Sequence, residues 1–291
     1  MRVASNRVAD VLQFYYSELN ILYDRAEIDA IVKIVFEHYL GFNRNEIQLR
    51  LNENINQSDL LKVYDCAKEL LSGRPLQYIL HEAWFYNKPL YVNEYVLIPR
   101  PETEELVSVI LKENSEAKSF LDLGTGSGCI PVTIKSVLPS AFVSACDVSA
   151  QALEVAKKNA AKHNTEVNFF ELDILDSEAA QKLITNTFEV IVSNPPYIKE
   201  SEAETLAKNV IEFEPHTALF VHGDDDIIFY KKIIDLCRNK LEKGGRLYFE
   251  LNHLTAYLVK EYADKSGLFS SAEIFRDMSG NFRFMKAIKN N

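Results

Sequence analysis

From Phe120 onward, short apolar runs of strand length alternate with amphipathic helical stretches, and no other feature restricts the possible folds as tightly. Strand-like runs fall at 119–123, 141–147, 166–172, 188–193 and 246–251, with two more near 271–276 and 282–288. Apolar residues at helical spacing mark 101–114, 129–138, 149–163, 226–242 and 253–266. Such alternation predicts an α/β fold whose sheet is doubly wound and mostly parallel, with antiparallel pairing at its C-terminal end.

Residues before about 80 read differently. Asp24-Arg25-Ala26-Glu27 is a capping-box pattern ahead of Ile28, Ile31, Val32, Ile34, Val35 and Tyr39 at helical spacing, and Gly41 supplies a stop. A second such segment runs from about Gln57 through Leu60, Leu61, Tyr64, Leu70 and Leu71 to Gly73 and Pro75. Residues 1–83 are therefore expected to form a small all-α domain of about four helices. Residues 84–98, where aromatic and β-branched residues surround Asn87-Lys88-Pro89, predict a β-hairpin linker. The remainder, 99–291, is the α/β domain. It opens on Pro99-Arg100-Pro101-Glu102, with proline and acidic residues at a helix start.

Charge and composition narrow the partners. The 291 residues carry a formal net charge of −10, which weighs against a surface built to track phosphates. A basic partner protein or a small substrate fits better, and no direct nucleic-acid contact is expected. No apolar run approaches the roughly 20 residues that span a bilayer, and the stretch Met1–Asp10 lacks the apolar core of a signal peptide. Cys66, Cys129, Cys146 and Cys237 are scattered, which suggests neither a zinc site nor a disulfide framework. The expectation is a cytoplasmic, metal-free monomer that does not engage a membrane.

The first candidate site is Phe120-Leu121-Asp122-Leu123-Gly124-Thr125-Gly126-Ser127-Gly128, a strand running into a glycine-rich turn with a helix from Cys129. Glycines allow a tight turn and close approach of a ligand to the main chain. The spacing is G-x-G-x-G, not the G-x-G-x-x-G of dinucleotide sites. Asp147 ends the next strand, 23 residues beyond Gly124, where a carboxylate can accept hydrogen bonds from ribose hydroxyls or cap the following helix. Asp173, followed by Ile174, ends the third strand, placed to receive an adenine amino group or simply to face solvent. Three such elements at successive strand ends favour an adenosine-containing ligand.

The second candidate site is Asn194-Pro195-Pro196-Tyr197, on the loop leaving the strand Phe188–Ser193. Each proline has a fixed φ and no N–H, so the loop presents carbonyl acceptors in a rigid frame. Asn194 adds a neutral amide and Tyr197 a flat ring. Such a loop suits a planar group bearing N–H donors, although a stiff turn alone would also explain it.

Glycine turn and Asn-Pro-Pro-Tyr loop together resemble a Rossmann-like class I S-adenosylmethionine-dependent methyltransferase of the amino-methylating type. Ser72-Gly73-Arg74-Pro75-Leu76-Gln77-Tyr78, Leu97-Ile98-Pro99-Arg100-Pro101-Glu102-Thr103-Glu104, Phe213-Glu214-Pro215 and Asp277-Met278-Ser279-Gly280-Asn281-Phe282-Arg283 are similar to segments of the release factor glutamine methyltransferase family. That resemblance runs across nearly the whole chain. It implies a seven-stranded sheet, a helical substrate-recognition domain, and methylation of the glutamine amide nitrogen in the Gly-Gly-Gln motif of peptide chain release factors. It also implies S-adenosylmethionine bound by Asp122, Gly124, Thr125, Gly126, Ser127, Gly128, Asp147, Asp173, Ile174 and Asn194, with S-adenosylhomocysteine as product. Asn194, Pro195, Pro196 and Tyr197 would bind the substrate, with Asn194, Pro195 and Tyr197 acting in catalysis. Asn194 Oδ1 and the Pro195 carbonyl would accept the two amide hydrogens while Tyr197 packs on the amide plane. Alignment of that kind contributes on the order of 7–11 kcal/mol.

Alternatives are a glutamine methyltransferase acting on a ribosomal protein and a nucleic-acid amino methyltransferase. A nicotinamide dehydrogenase would need another glycine spacing, and a non-enzymatic interaction protein would bind no S-adenosylmethionine. Three positions depart from the family pattern: His216 where arginine is common, and Asp226 and Asn252 where glycine is usual. The triplet Asp224-Asp225-Asp226 is expected to cap the helix from Ile227, His216 to pack a loop, and Asn252 to tolerate unusual backbone angles.

Overall fold

The computed structural model describes residues 5–291; the first four, part of the N-terminal stretch scanned for a leader, lie outside the described residues. The chain divides into two compact units, one ending at Glu82 and the other running Ala83–Asn291.

Among the described residues, five helices build the first unit: α1 (Val8–Leu19), α2 (Arg25–Leu40), α3 (Arg44–Leu49), α4 (Gln57–Leu71) and α5 (Leu76–Leu80). The capping box at α2 forms: the Asp24 carboxylate accepts from the Glu27 amide at 2.9 Å, and Glu27 accepts from the Asp24 amide at 2.8 Å. Gly41, left-handed at φ 69°, ends the helix by donating back to the Glu37 and Phe36 carbonyls. Val11, Tyr15, Val32, Phe36, Val63 and Leu70 form the interior. The Tyr15 hydroxyl, buried there, donates to the Val63 carbonyl at 2.6 Å, so no polar group is stranded. Ile34 and Leu61, part of the apolar spacing in sequence, instead face solvent.

The second unit opens with a hairpin, β1 (Ala83–Phe85) and β2 (Lys88–Leu90), then α6 (Pro101–Glu113). Tyr86 and Asn87 both take positive φ, the conformation that a two-residue hairpin turn requires. Phe85 and Leu90 are buried in the same apolar cluster as Leu106 and Ile110 of α6. The hairpin expected as a linker is thus a packed element of this unit, anchored by those two side chains.

Next come β3 (Ser119–Leu123), α7 (Cys129–Val137), β4 (Phe142–Asp147), α8 (Ala150–Lys162), β5 (Asn168–Glu171), α9 (Ser177–Leu183) and β6 (Phe188–Ser193) in strict alternation. A run of short pieces follows: β7 (Ile198–Lys199), a 3-10 turn (Glu200–Thr205), α10 (Lys208–Phe213), α11 (His216–Leu219) and β8 (Phe220–Val221). The chain ends with α12 (Ile228–Lys240), β9 (Leu241–Glu250), α13 (Ala256–Lys265), β10 (Phe269–Arg276) and β11 (Phe282–Lys289).

Seven strands form one sheet in the order β10-β11-β9-β6-β3-β4-β5. Pairings among β9, β6, β3, β4 and β5 are parallel, while β11 runs antiparallel to both its neighbours. Alternate residues serve opposite faces, as pleating requires. Phe120, Val190 and Val192 meet the cluster with α6 and α7, whereas Leu121, Leu123 and Ile191 meet the one with α12 and α13. Both faces of the central strands are therefore apolar, and β3 and β6 read as near-continuous hydrophobic runs. After β5 the chain returns to the other side of β3 to make β6. The crevice beyond the C-terminal ends of β3 and β6 is thus a topological switch point, where open α/β sheets bind ligands.

Candidate active site

At that switch point a cavity of ≈ 330 Å³ opens, a size suited to a small-molecule ligand. Its wall includes Gly124–Ser127 after β3, Asp147 after β4, Asp173 and Ile174 after β5, and Asn194–Pro196 after β6. Gly124 and Gly126 have φ of +77° and +52°, and a Cβ on either would meet nothing within 4 Å. Their bare main chain faces open space that a ligand can enter. Gly128 has the opposite reason to be glycine. At φ +78° its Cβ would lie 3.0 Å from the Ala156 Cβ, so its absence lets α7 start tight against α8.

Asp147 ties the turn together. One carboxylate oxygen accepts from the Gly126 amide at 2.8 Å and the other from the Ser149 amide at 3.0 Å. Capping of α8 falls to Ser149, whose hydroxyl accepts from the Ala152 amide at 3.1 Å. Burial raises the Asp147 pKa, and the backbone donors oppose that rise. Asp173 is exposed, with its carboxylate accepting from the Leu175 amide at 2.9 Å.

Asp122 does not reach the cavity wall. It is buried beside the glycine turn, and neither of its carboxylate oxygens, nor the Thr125 hydroxyl, makes a hydrogen bond of normal geometry among the described residues. Burial, with the Asp147 carboxylate adding to it, pushes the Asp122 pKa up to about 7. Bare main chain at the glycine turn, carboxylates at successive strand ends and the adjoining cavity together fit an adenosine-containing ligand.

A second cavity of ≈ 250 Å³ adjoins the first, and Leu97, Arg100, Asn194 and Ala218 border both. Asn194 therefore stands at the junction, while Tyr197, Glu102, Glu250 and Arg283 belong to the second cavity. The Asn194 Nδ2 donates to the Thr103 hydroxyl at 3.3 Å, and the hydroxyl donates to Glu250 at 2.7 Å. The other Glu250 oxygen accepts from the Tyr197 hydroxyl at 3.4 Å. Neither Asn194 Oδ1 nor the Pro195 carbonyl accepts a hydrogen bond among the described residues, so both acceptors remain available. Burial pushes Glu250 up to about 7, opposed by the Thr103 hydroxyl and Arg283. Burial and then the Glu250 carboxylate raise Tyr197, which keeps the phenol protonated.

The lip shared by the two cavities is clamped. Arg100, at the start of α6, pairs with Glu214 at 2.5 Å, and the other Glu214 oxygen accepts from the Ile98 amide at 3.2 Å. Thr103, Glu250 and Glu214 were not singled out as site residues from sequence. Thr103 read as part of a helix start and Glu250 as a strand end, and 147 residues separate them. Arg100 and Glu214 did lie within the segments that carried the family resemblance.

The three departures resolve locally. His216 hydrogen-bonds the Ile211 carbonyl at 2.8 Å and sits edge-on to Phe220, which is loop packing. The acidic triplet does not cap α12 through a side chain. Asp225 instead accepts from the Ile227 amide ahead of the helix and pairs with Lys231 at 2.8 Å, while Asp226 pairs with Lys199 at 2.5 Å. Asn252 does not take a positive φ. It is buried, and its Nδ2 donates to the Tyr197 carbonyl at 3.1 Å, which pins the end of the Asn-Pro-Pro-Tyr loop.

Known proteins place this architecture. The family described as Methyltransferase small domain matches residues 101–223, and the one described as PrmC N-terminal domain matches residues 10–80. A solved methyltransferase from Pyrococcus furiosus superposes with a TM-score of 0.52 over 71% of this chain and 91% of its own, at 18% identity, a likeness of fold. A release factor glutamine methyltransferase of Flavobacterium psychrophilum is 39% identical over 94% of this chain and 95% of its own length. One from Bacteroides thetaiotaomicron is 36% identical over 83% and 86%. With end-to-end similarity at that level, this chain belongs to the release factor glutamine methyltransferase family.

Proposed function

We propose that this protein transfers a methyl group from S-adenosylmethionine to the side-chain amide nitrogen of the glutamine in the Gly-Gly-Gln motif of peptide chain release factors, in the cytoplasm. The observation that carries this reading is the junction at Asn194, where two cavities meet beside two unengaged acceptors, Asn194 Oδ1 and the Pro195 carbonyl. The first cavity would hold the cofactor: Gly124 and Gly126 offer bare main chain, Asp147 a carboxylate for ribose hydroxyls, and Asp173 with Ile174 the adenine end. The bound cofactor supplies an already activated methyl group on a sulfonium centre.

The chain's own residues then have a positioning task. An amide nitrogen is a poor nucleophile because its lone pair is delocalised into the carbonyl. Two acceptors in the plane of the amide hold both N–H bonds and fix the nitrogen's remaining face toward the first cavity. They also draw off positive charge as it develops on nitrogen, which stabilises the transition state more than the ground state. Tyr197, half-buried in the second cavity, is placed to pack against the flat amide. We assign recognition of the release factor to the helical unit that precedes Ala83.

The test is Asn194→Ala. Calorimetry should find S-adenosylmethionine affinity largely retained, while methyl transfer to a release factor falls about 100- to 1000-fold, as for loss of one preorganised charge-stabilising group. Turnover retained at the wild-type rate would refute the role given to Asn194.

A further inference from the structure

The amide of Asn194 can serve as an acceptor only if it is turned the right way round. Its two ends are nearly the same size, and shape alone does not select one orientation. We infer that Thr103, held by Glu250, is a positioning residue that fixes the orientation of the Asn194 amide, so that Oδ1 and not Nδ2 faces the acceptor cavity. This rests on the clamp reading above.

The inference follows from hydrogen-bond polarity. Thr103 has one hydroxyl proton, and Glu250 takes it at 2.7 Å. Both side chains are almost fully buried, at 3% and 2% exposure, so their contact is sheltered from bulk solvent. With Glu250 ionised, the Thr103 proton is committed to it and the Thr103 oxygen can only accept from Asn194. The end of the amide at 3.3 Å must then be Nδ2, which leaves Oδ1 for the substrate. An inverted amide would set two acceptors against each other in a buried site, an arrangement costly enough to be rarely populated. The same carboxylate accepts from the Tyr197 hydroxyl at 3.4 Å, so one buried group orients both polar side chains of the Asn-Pro-Pro-Tyr loop. Burial of Glu250 beside an apolar interior is otherwise unfavourable. The arrangement gives that buried carboxyl a task that strand formation does not require.

Thr103→Val keeps the shape of the side chain and removes the hydroxyl. The expected result is a fall in kcat of about 10- to 100-fold, the loss for one buried polar contact left unmade. The cofactor Kd and the release-factor KM should stay within about threefold of wild type, since neither binding surface loses its contacts. Thr103→Ser, which restores the hydroxyl, should recover most of the rate, and Thr103→Ala repeats the loss with a smaller side chain. In the Asn194→Ala background, Thr103→Val should cost nothing further, because the group it orients is gone. A Thr103→Val enzyme with wild-type kcat would overturn the inference, as would a serine variant no better than valine or alanine, or additive losses in the double variant. Full activity of Asn194→Ala would instead sink the clamp reading itself, so the two failures are distinguishable.

Discussion

Replacing Asp122 with asparagine should remove a pH-dependent weakness from the folded state. The carboxyl is 1% exposed, and neither oxygen makes a hydrogen bond of normal geometry among the described residues. Burial, reinforced by Asp147, pushes its pKa from 3.8 up to about 7. The unfolded chain gives up this proton near the ordinary aspartate value, whereas the folded chain holds it until near neutrality. Between those two values the folded state binds more protons, so stability from this group is fully present below about 3.8 and is lost as pH rises toward 7. An interval of about 3 units at about 1.4 kcal/mol each puts the full loss at about 4 kcal/mol or less. By about pH 5 roughly a third of it has already accrued.

Urea unfolding of wild type and Asp122→Asn, without cofactor, compares the two states directly. The stability of the variant relative to wild type should grow by about 2–3 kcal/mol between about pH 5 and pH 8, with nearly all of the change complete by neutrality. Glu250 titrates in the same range through burial, but it is present in both proteins and cancels in the difference. Two stability curves that run parallel across this range would refute the argument that Asp122 is a desolvated, unpartnered carboxyl.

Other expectations follow from single contacts. Glu214→Ala strands the Ile98 amide and the partly exposed Arg100, so thermal unfolding should register a loss of about 2 kcal/mol and calorimetry a weaker affinity for S-adenosylmethionine; an unchanged affinity would mean the clamp does not shape the cavity lip. Gly128→Ala should destabilise more than Gly126→Ala, since both strain a left-handed backbone but only the former drives a Cβ to 3.0 Å from Ala156; equal losses in urea unfolding would contradict this. Asn252→Gly removes the hydrogen bond to the Tyr197 carbonyl and should cost about 1 kcal/mol of stability together with a reduced methyl-transfer rate; a rate at or above wild type would show that this pin is not needed.

The parallel sheet was legible because its signal is local and repeated: the central strands are near-continuous apolar runs, and Gly124, Asp147, Asp173 and Asn194 sit at strand ends. Gly124, Asp147, Asp173 and Asn194 are far apart in sequence, yet strand ends at one edge of a parallel sheet must converge, and all four border one cavity. The capping box at Asp24 and the stop at Gly41 were readable for the same local reason. The segment 198–221 was not, because its pieces are too short to carry a period. The strand pair Ile198–Lys199 and Phe220–Val221, for instance, is set by tertiary contacts. Glu250 was read as a strand-end residue because nothing local says that its carboxyl is buried against Thr103. The acidic triplet misled for the opposite reason. Asp225 and Asp226 found lysine partners in Lys231 and Lys199, which a linear reading of helix caps cannot foresee.

The central claim is tested most directly by locating the transferred methyl group. The protein would be incubated with methyl-labelled S-adenosylmethionine, each release factor, a ribosomal protein mixture and DNA, and the labelled residue identified by mass spectrometry. Label is expected on the side-chain amide of the glutamine in the Gly-Gly-Gln motif of a release factor. Label confined to a ribosomal protein or to a nucleobase, or the absence of transfer to any of these substrates, would contradict it.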